Sequence, residues 1–206
     1  MERNAGLAAS GVVAAGVSLA SVLLATMLSP DFAWTANALS NLGVPGTAAG
    51  TPTTALLFNG GLILGALVGF VFAFFLWRRA ENRGKRVVAV LLAVTLAAMG
   101  AIGVFPQGGP LHVPVAVAFY VLVTATIWAD AVVVGGTEEG LRGAVATWLG
   151  AANLGVWVIW AATGPVRRPG LALPEIVGAL VFAIWILSTA IRLSSRDRAV
   201  ARSPVR

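Results

Sequence analysis

Residues 53–105 read TTALLFNGGLILGALVGFVFAFFLW-RRAENRGKR-VVAVLLAVTLAAMGAIGVF, and this stretch decides the fold. Two long apolar runs, 53–77 and 87–105, flank a connection of nine residues, 78–86, in which five side chains are basic. An α-helix rises about 1.5 Å per residue, so about 20 residues cross the roughly 30 Å hydrocarbon core of a bilayer. Lipid offers no partner to backbone N–H and C=O groups, which leaves the helix as the economical way to cross. A connection this short makes its two helices antiparallel neighbours. The stretch reads as a membrane-spanning helical hairpin.

The same reading extends outward to four more apolar runs at 5–28, 112–134, 144–163 and 174–193. The expected fold is an all-α integral membrane protein, a six-transmembrane-helix bundle forming one domain over 1–193, followed by a basic tail, 194–206, expected to be solvated. Composition agrees: 58% of residues are hydrophobic, 11% are charged and the mean hydropathy is +0.89. These values lie outside the usual range for a soluble domain. The first run is expected to be a retained span rather than a leader, because Leu28-Ser29-Pro30 is a helix stop and not a small-residue cleavage context. The chain has no cysteine and one histidine, which excludes disulfides, thiol chemistry and a multi-histidine metal site within one protomer. No cofactor and no metal are expected.

The net charge of +6 is distributed by loop. With the N-terminus in the cytoplasm, six crossings return the C-terminus there. Arg3, the five basic residues of 78–86, Arg142, and Arg192, Arg196, Arg198, Arg202 and Arg206 then lie inside, and only Arg167 and Arg168 lie outside. This skew is the positive-inside pattern of a cell-membrane protein with both termini cytoplasmic. The basic residues are topological anchors within reach of anionic headgroups. Nucleic acid is not expected as a partner, because no basic, aromatic-lined surface is available to hold a strand.

Residues 29–52 form an outer connection too long for a plain turn. Ser29 as N-cap, Pro30 at the first helical position and Gly43 as the stop predict an interfacial helix over 30–42. Phe32, Ala36 and Leu39 share one stripe of it. Trp34, Asn37 and Asn41 share another, facing a polar space above the bundle.

Polar side chains are costly in a membrane, so their depth carries the functional information. Asp31, Trp34, Asn37, Ser40, Asn41, Asn59, Gln107, His112, Arg167, Arg168 and Glu175 all fall at or near the outer ends of spans. They are the expected lining of one outward-facing cavity. Histidine is the residue type that titrates nearest neutrality, so His112 is the candidate for proton transfer; it can equally serve as a hydrogen-bonded helix-start residue. A catalytic reading would pair His112 with Ser40 or Ser29 as nucleophile and with Asp31 or Glu175 as carboxylate, although no sequence spacing fixes such a set. Arg167 and Arg168 suit a phosphate clamp or a plain exposed loop.

Asp130 lies about 27 Å along the fourth span from His112 at 1.5 Å per residue, so the two form no dyad; hydration or an inner arginine is its expected partner. The middle depth offers mainly Thr95, Thr124 and Asn153, too few ionisable groups for an ion pathway. Gly61, Gly65 and Gly69 recur every four residues, a small-residue stripe that packs a neighbouring helix within the chain or a second copy or partner. Most tryptophans fall near span ends, as interface-belt residues do.

The run Asn37-Ala38-Leu39-Ser40-Asn41-Leu42-Gly43, then Phe58-Asn59-Gly60, then Gly103-Val104-Phe105-Pro106 followed by His112, resembles the integral membrane family known as domain of unknown function 998. The resemblance covers nearly the whole chain in order and spacing. More remotely the chain is similar to Frag1/Sfk1-type six-span proteins, some of which are linked to membrane lipid remodelling or organisation. The resemblance supplies no activity; it implies that Asn37, Ser40, Gly43, Asn59, Phe105-Pro106 and His112 belong together. Asn41 stands where that family often has aspartate, and a neutral amide is no general base. The expected role is therefore binding of a lipid or amphiphile, or organisation of the membrane, without catalysis. A lipid-modifying hydrolase or transferase using His112 and a structural subunit of a membrane complex are the alternatives, with a transporter behind both.

Overall fold

The computed structural model describes the backbone of residues 2–135, 139–163 and 170–202, and side chains over 6–135, 139–163 and 170–195. Six α-helices make the bundle: α1 (Glu2–Met27), α2 (Pro52–Arg78), α3 (Arg83–Val104), α4 (His112–Gly135), α5 (Gly140–Ala162) and α6 (Ala172–Arg202). All six are long and apolar enough to cross a membrane. Among the described residues there is no strand.

Local chemistry sets the helix starts. Thr51 caps α2, its hydroxyl accepting from Thr54 N at 3.1 Å, with Pro52 at the first helical position, where its missing N–H costs nothing. Asn82 caps α3 by accepting from Lys85 N at 2.9 Å. The connection Arg79–Asn82 is therefore even tighter than the apolar pattern indicates.

Helices adjacent in sequence pack side by side, and α1 closes the ring on α6. α5 stands on the flank against α4 and α6 and is the least covered of the six spans. The ring interior is apolar, with Leu42, Leu92, Leu96, Val123 and Ile127 wholly buried. The stripe Gly61, Gly65 and Gly69 is buried inside this ring: a Cβ at Gly61 or Gly65 would collide with Ser21 or Ser18 of α1, and one at Gly69 would reach Leu96 of α3 at 2.6 Å. The missing side chains let α1 and α3 approach α2, so the stripe serves packing within the chain rather than the surface of the bundle.

Two sequence expectations change. The helix expected over 30–42 is instead a run of turns ending in one short 3-10 helix, Leu39–Gly43. The physical reason lies in its polar residues. Ser29, the expected N-cap, donates to Ala49 O at 2.8 Å, and Asn37 and Asn41 turn back to accept from Ala33 N and Ala38 N, each at 2.7 Å. Asparagine side chains bonded to nearby backbone favour turns and caps over helix interiors. Gly43 is not a left-handed stop; it lies close against Phe58 and Asn59 of α2, where a Cβ would not fit. The second change is at the C-terminus, where α6 runs on through the expected tail to Arg202.

Candidate functional site

The 29–51 connection folds over one end of the bundle, and a set of long-range hydrogen bonds holds it there. The 3-10 helix is fastened to α6 through Leu39 N, which donates to Glu175 Oε2 at 2.5 Å. It is fastened to α2 through Thr54 Oγ1, donating to Leu42 O at 3.0 Å, and Asn59 Nδ2, donating to Gly43 O at 2.9 Å. Gln107, in the connection between α3 and α4, accepts from Asn41 Nδ2 at 2.5 Å and from Ser40 Oγ at 3.3 Å. Backbone pairs complete the attachment: Gly170 N to Thr35 O at 2.6 Å and Ala172 N to Asn37 O at 2.9 Å.

Beneath this lid lies a narrow cavity of about 70 Å³. Its walls come from α1, α2, α3, α4 and α6, from Ala14 to Val22 on α1 and from Glu175 to Ile186 on α6. Eleven residues of helix rise about 16 Å, so the cavity extends from the lid to about mid-bundle. Almost all of the lining is aliphatic or aromatic. The polar side chains on it are Ser18, Ser40, His112, Tyr120 and Glu175, and all but Ser18 gather at the lid end. A narrow apolar space with polar groups at one mouth matches the chemistry of an amphiphile.

His112 is buried at the first position of α4, with Nδ1 2.9 Å from Phe105 O. A carbonyl only accepts, so Nδ1 carries a hydrogen and donates it to Phe105 O. Ser40 lines the same cavity, but its hydroxyl is bonded to Gln107 and no hydrogen bond joins it to His112 among the described residues. Asp31 is exposed on the connection and does not line the cavity. A nucleophile–base–carboxylate relay of Ser40, His112 and Asp31 is therefore not assembled in this arrangement. Glu175, 7% exposed, is the carboxylate at the cavity, and no cation pairs with it among the described residues.

The structure thus brings Ser40, His112 and Glu175 to one cavity and puts Asn41 and Gln107 in the lid above it. Asn37 and Asn59 hold lid backbone, and Trp34 is exposed, packed edge-on against Phe32. Arg167 and Arg168, and with them the phosphate-clamp reading, lie outside the described residues. Tyr120 was not singled out by the sequence: it lines the cavity, its hydroxyl donates to Glu175 O at 3.3 Å, and its ring lies tilted against that of Trp157 at 4.7 Å between centroids. A lone tyrosine in an apolar span gives no signal of this; only the approach of α4 to α6 creates it.

The opposite end of the bundle is charged. Asp130 pairs with Arg142 at 2.5 Å and accepts from Trp185 Nε1 at 2.9 Å. Glu139 bridges Arg142 at 3.1 Å and Arg192 at 3.0 Å. The arginine expected near Asp130 is present. Between the two ends, Asn153 donates to Tyr120 O and Thr124 Oγ1, and Thr95 pairs with Thr126. Among the described residues, no group of three or more His, Asp or Glu side chains is placed to hold a metal ion.

Neither a curated protein nor a solved structure matches this chain. A family model does, over residues 12–192, from the first span into the last. With that match covering most of its length, the chain belongs to the DUF998 family, described as proteins of unknown function.

Proposed function

We propose that the protein binds a single-chain amphiphile in the central cavity, tail between the helices and head beneath the lid, and carries out no chemistry on it. The reading rests on one observation: an apolar cavity whose lining runs about 16 Å along α6, with Ser40, His112, Tyr120 and Glu175 grouped toward the lid. His112 Nε2 and the Ser40 hydroxyl offer head-group contacts, and the aliphatic walls from Ala116 to Ile186 take the tail. The positive-inside skew of the loop charges supports a cell-membrane orientation with both termini cytoplasmic, in which the lid faces the outside. The ligand then comes from the outer leaflet or the external medium.

The test is native mass spectrometry of protein released in gentle detergent, with every retained small molecule identified. One amphiphile at fixed stoichiometry is expected, lost in Ala183→Phe, which fills the cavity wall, and weakened in His112→Ala. A clean unliganded mass, or retention unchanged in Ala183→Phe, overturns the reading.

A further inference from the structure

In the cavity beneath the lid the charge is one-sided. Glu175 is the only carboxylate among the described lining residues, and none of those residues is a lysine or an arginine. Glu175 is 7% exposed, and its Oε2 accepts from Leu39 N. Its other oxygen, Oε1, accepts no hydrogen bond among the described residues, yet it is not one of the atoms sealed from a water-sized probe. Glu175 stands in the first turn of α6, where the helix dipole favours a negative charge. One N–H and a helix end hold an ionised carboxylate in place without neutralising it. A buried charge with no partner of opposite sign keeps a large desolvation cost, which a cation at Oε1 would offset.

The hydrogen-bond inventory at the lid end points the same way. Ser40 Oγ gives its hydrogen to Gln107 Oε1 at 3.3 Å, and the Tyr120 hydroxyl gives its own to Glu175 O, also at 3.3 Å. His112 Nδ1 donates to Phe105 O at 2.9 Å. A hydroxyl that has donated its single hydrogen keeps only acceptor lone pairs. What Glu175, Ser40 and Tyr120 retain for a ligand is therefore acceptors. An ammonium group carries three donors and no acceptor, which complements them. A carboxylate or phosphate head carries the reverse, and it would set like charges together where the dielectric is low.

We propose that the cavity selects an amphiphile with a cationic nitrogen head, an alkyl ammonium whose charge pairs with Glu175 Oε1 and whose N–H groups meet the acceptors of Ser40 and Tyr120. This assignment rests on the amphiphile reading above and adds to it the charge of the head.

The experiment uses the full chain in gentle detergent at neutral pH, with three probes that share one tail: dodecylamine, dodecanol and dodecanoate. Native mass spectrometry follows a titration with each. The amine is expected to bind at least about tenfold tighter than the alcohol, with dodecanoate the weakest of the three. Ala183→Phe should abolish binding of all three, which locates them in the cavity. Glu175→Gln keeps a side-chain acceptor for Leu39 N and removes the charge, so it should erase the preference for the amine. Should that variant not fold, the wild-type ranking and its loss in Ala183→Phe are decisive, because the described lining holds no other carboxylate. Equal binding of amine and alcohol, or a preference for dodecanoate, overturns the cationic head and leaves the amphiphile reading standing. An amine preference that survives Glu175→Gln also overturns it, since the attraction then comes from other charges. If none of the three probes binds, both readings fall.

Discussion

The backbone N–H of Leu39 donates to the carboxylate of Glu175 at 2.5 Å, a bond between residues 136 positions apart. It ties the 3-10 helix of the lid to the first turn of α6, and the pairs Gly170–Thr35 and Ala172–Asn37 continue the same seam. Both ends of the bond are buried, Leu39 at 4% and Glu175 at 7% exposure. A buried donor that loses its acceptor keeps the full cost of its desolvation.

Glu175→Ala should therefore destabilise the protein by about 1–3 kcal/mol. Glu175→Gln, which keeps a side-chain carbonyl for Leu39, should cost clearly less. Thermal unfolding of the two variants in the same detergent measures the difference. Equal losses would mean that the seam does not depend on this acceptor.

The approach of α1 to α2 depends on Gly65, where a Cβ would collide with Ser18 Oγ and lie 3.1 Å from Ser18 Cβ. Gly65→Ala should cost about 1–3 kcal/mol as overpacking. Ser18→Ala removes the clashing oxygen, so the double variant should recover part of that loss. A double variant no better than Gly65→Ala would show that the contact with Ala14 O, at 3.2 Å, dominates instead.

At the other end, Asp130 and Arg142 are 9% and 21% exposed and form a pair between α4 and α5. Asp130→Asn should destabilise by about 2 kcal/mol, below the full cost of breaking a buried pair because Arg142 still holds Glu139. Residues in direct contact couple, so Asp130→Asn and Arg142→Gln should be non-additive by about 1 kcal/mol. Additive losses in the double-mutant cycle would remove the pair from any account of how α4, α5 and α6 are joined.

The absence of cysteine makes the proposed orientation directly measurable. Ala48 in the lid connection and Glu81 between α2 and α3 are both exposed. In intact cells a membrane-impermeant maleimide should label Ala48→Cys and leave Glu81→Cys untouched until the membrane is opened. The reverse pattern would invert the topology and turn the lid to the cytoplasm.

Hydrophobic length and loop length were enough to read the six helices and the pairing of α2 with α3. That follows because the solvent imposes the pattern: a span in lipid must be apolar along its whole length and must satisfy its own backbone. Gathering Ser40, His112 and Glu175 at one end was legible for the same reason, since polar residues at corresponding depths of different spans meet at one face. The lid was not legible. Ser29-Pro30 and Gly43 carry helix start and stop signals, but Asn37 and Asn41 spend their side chains on nearby backbone, and the 29–51 segment gains its order from α2 and α6.

What the sequence by itself determined is the set of spans and the depth of each polar group. Which of those groups face one another was decided by the tertiary structure alone. Leu39 meets Glu175, Tyr120 meets Asn153, and Arg142 and Arg192 meet at Glu139. The reason is rotational: an evenly apolar helix carries little amphipathic pattern, so its sequence fixes its length in the membrane but leaves open which face it turns inward. Close approach of glycine to serine, and of backbone donor to buried carboxylate, sets that rotation.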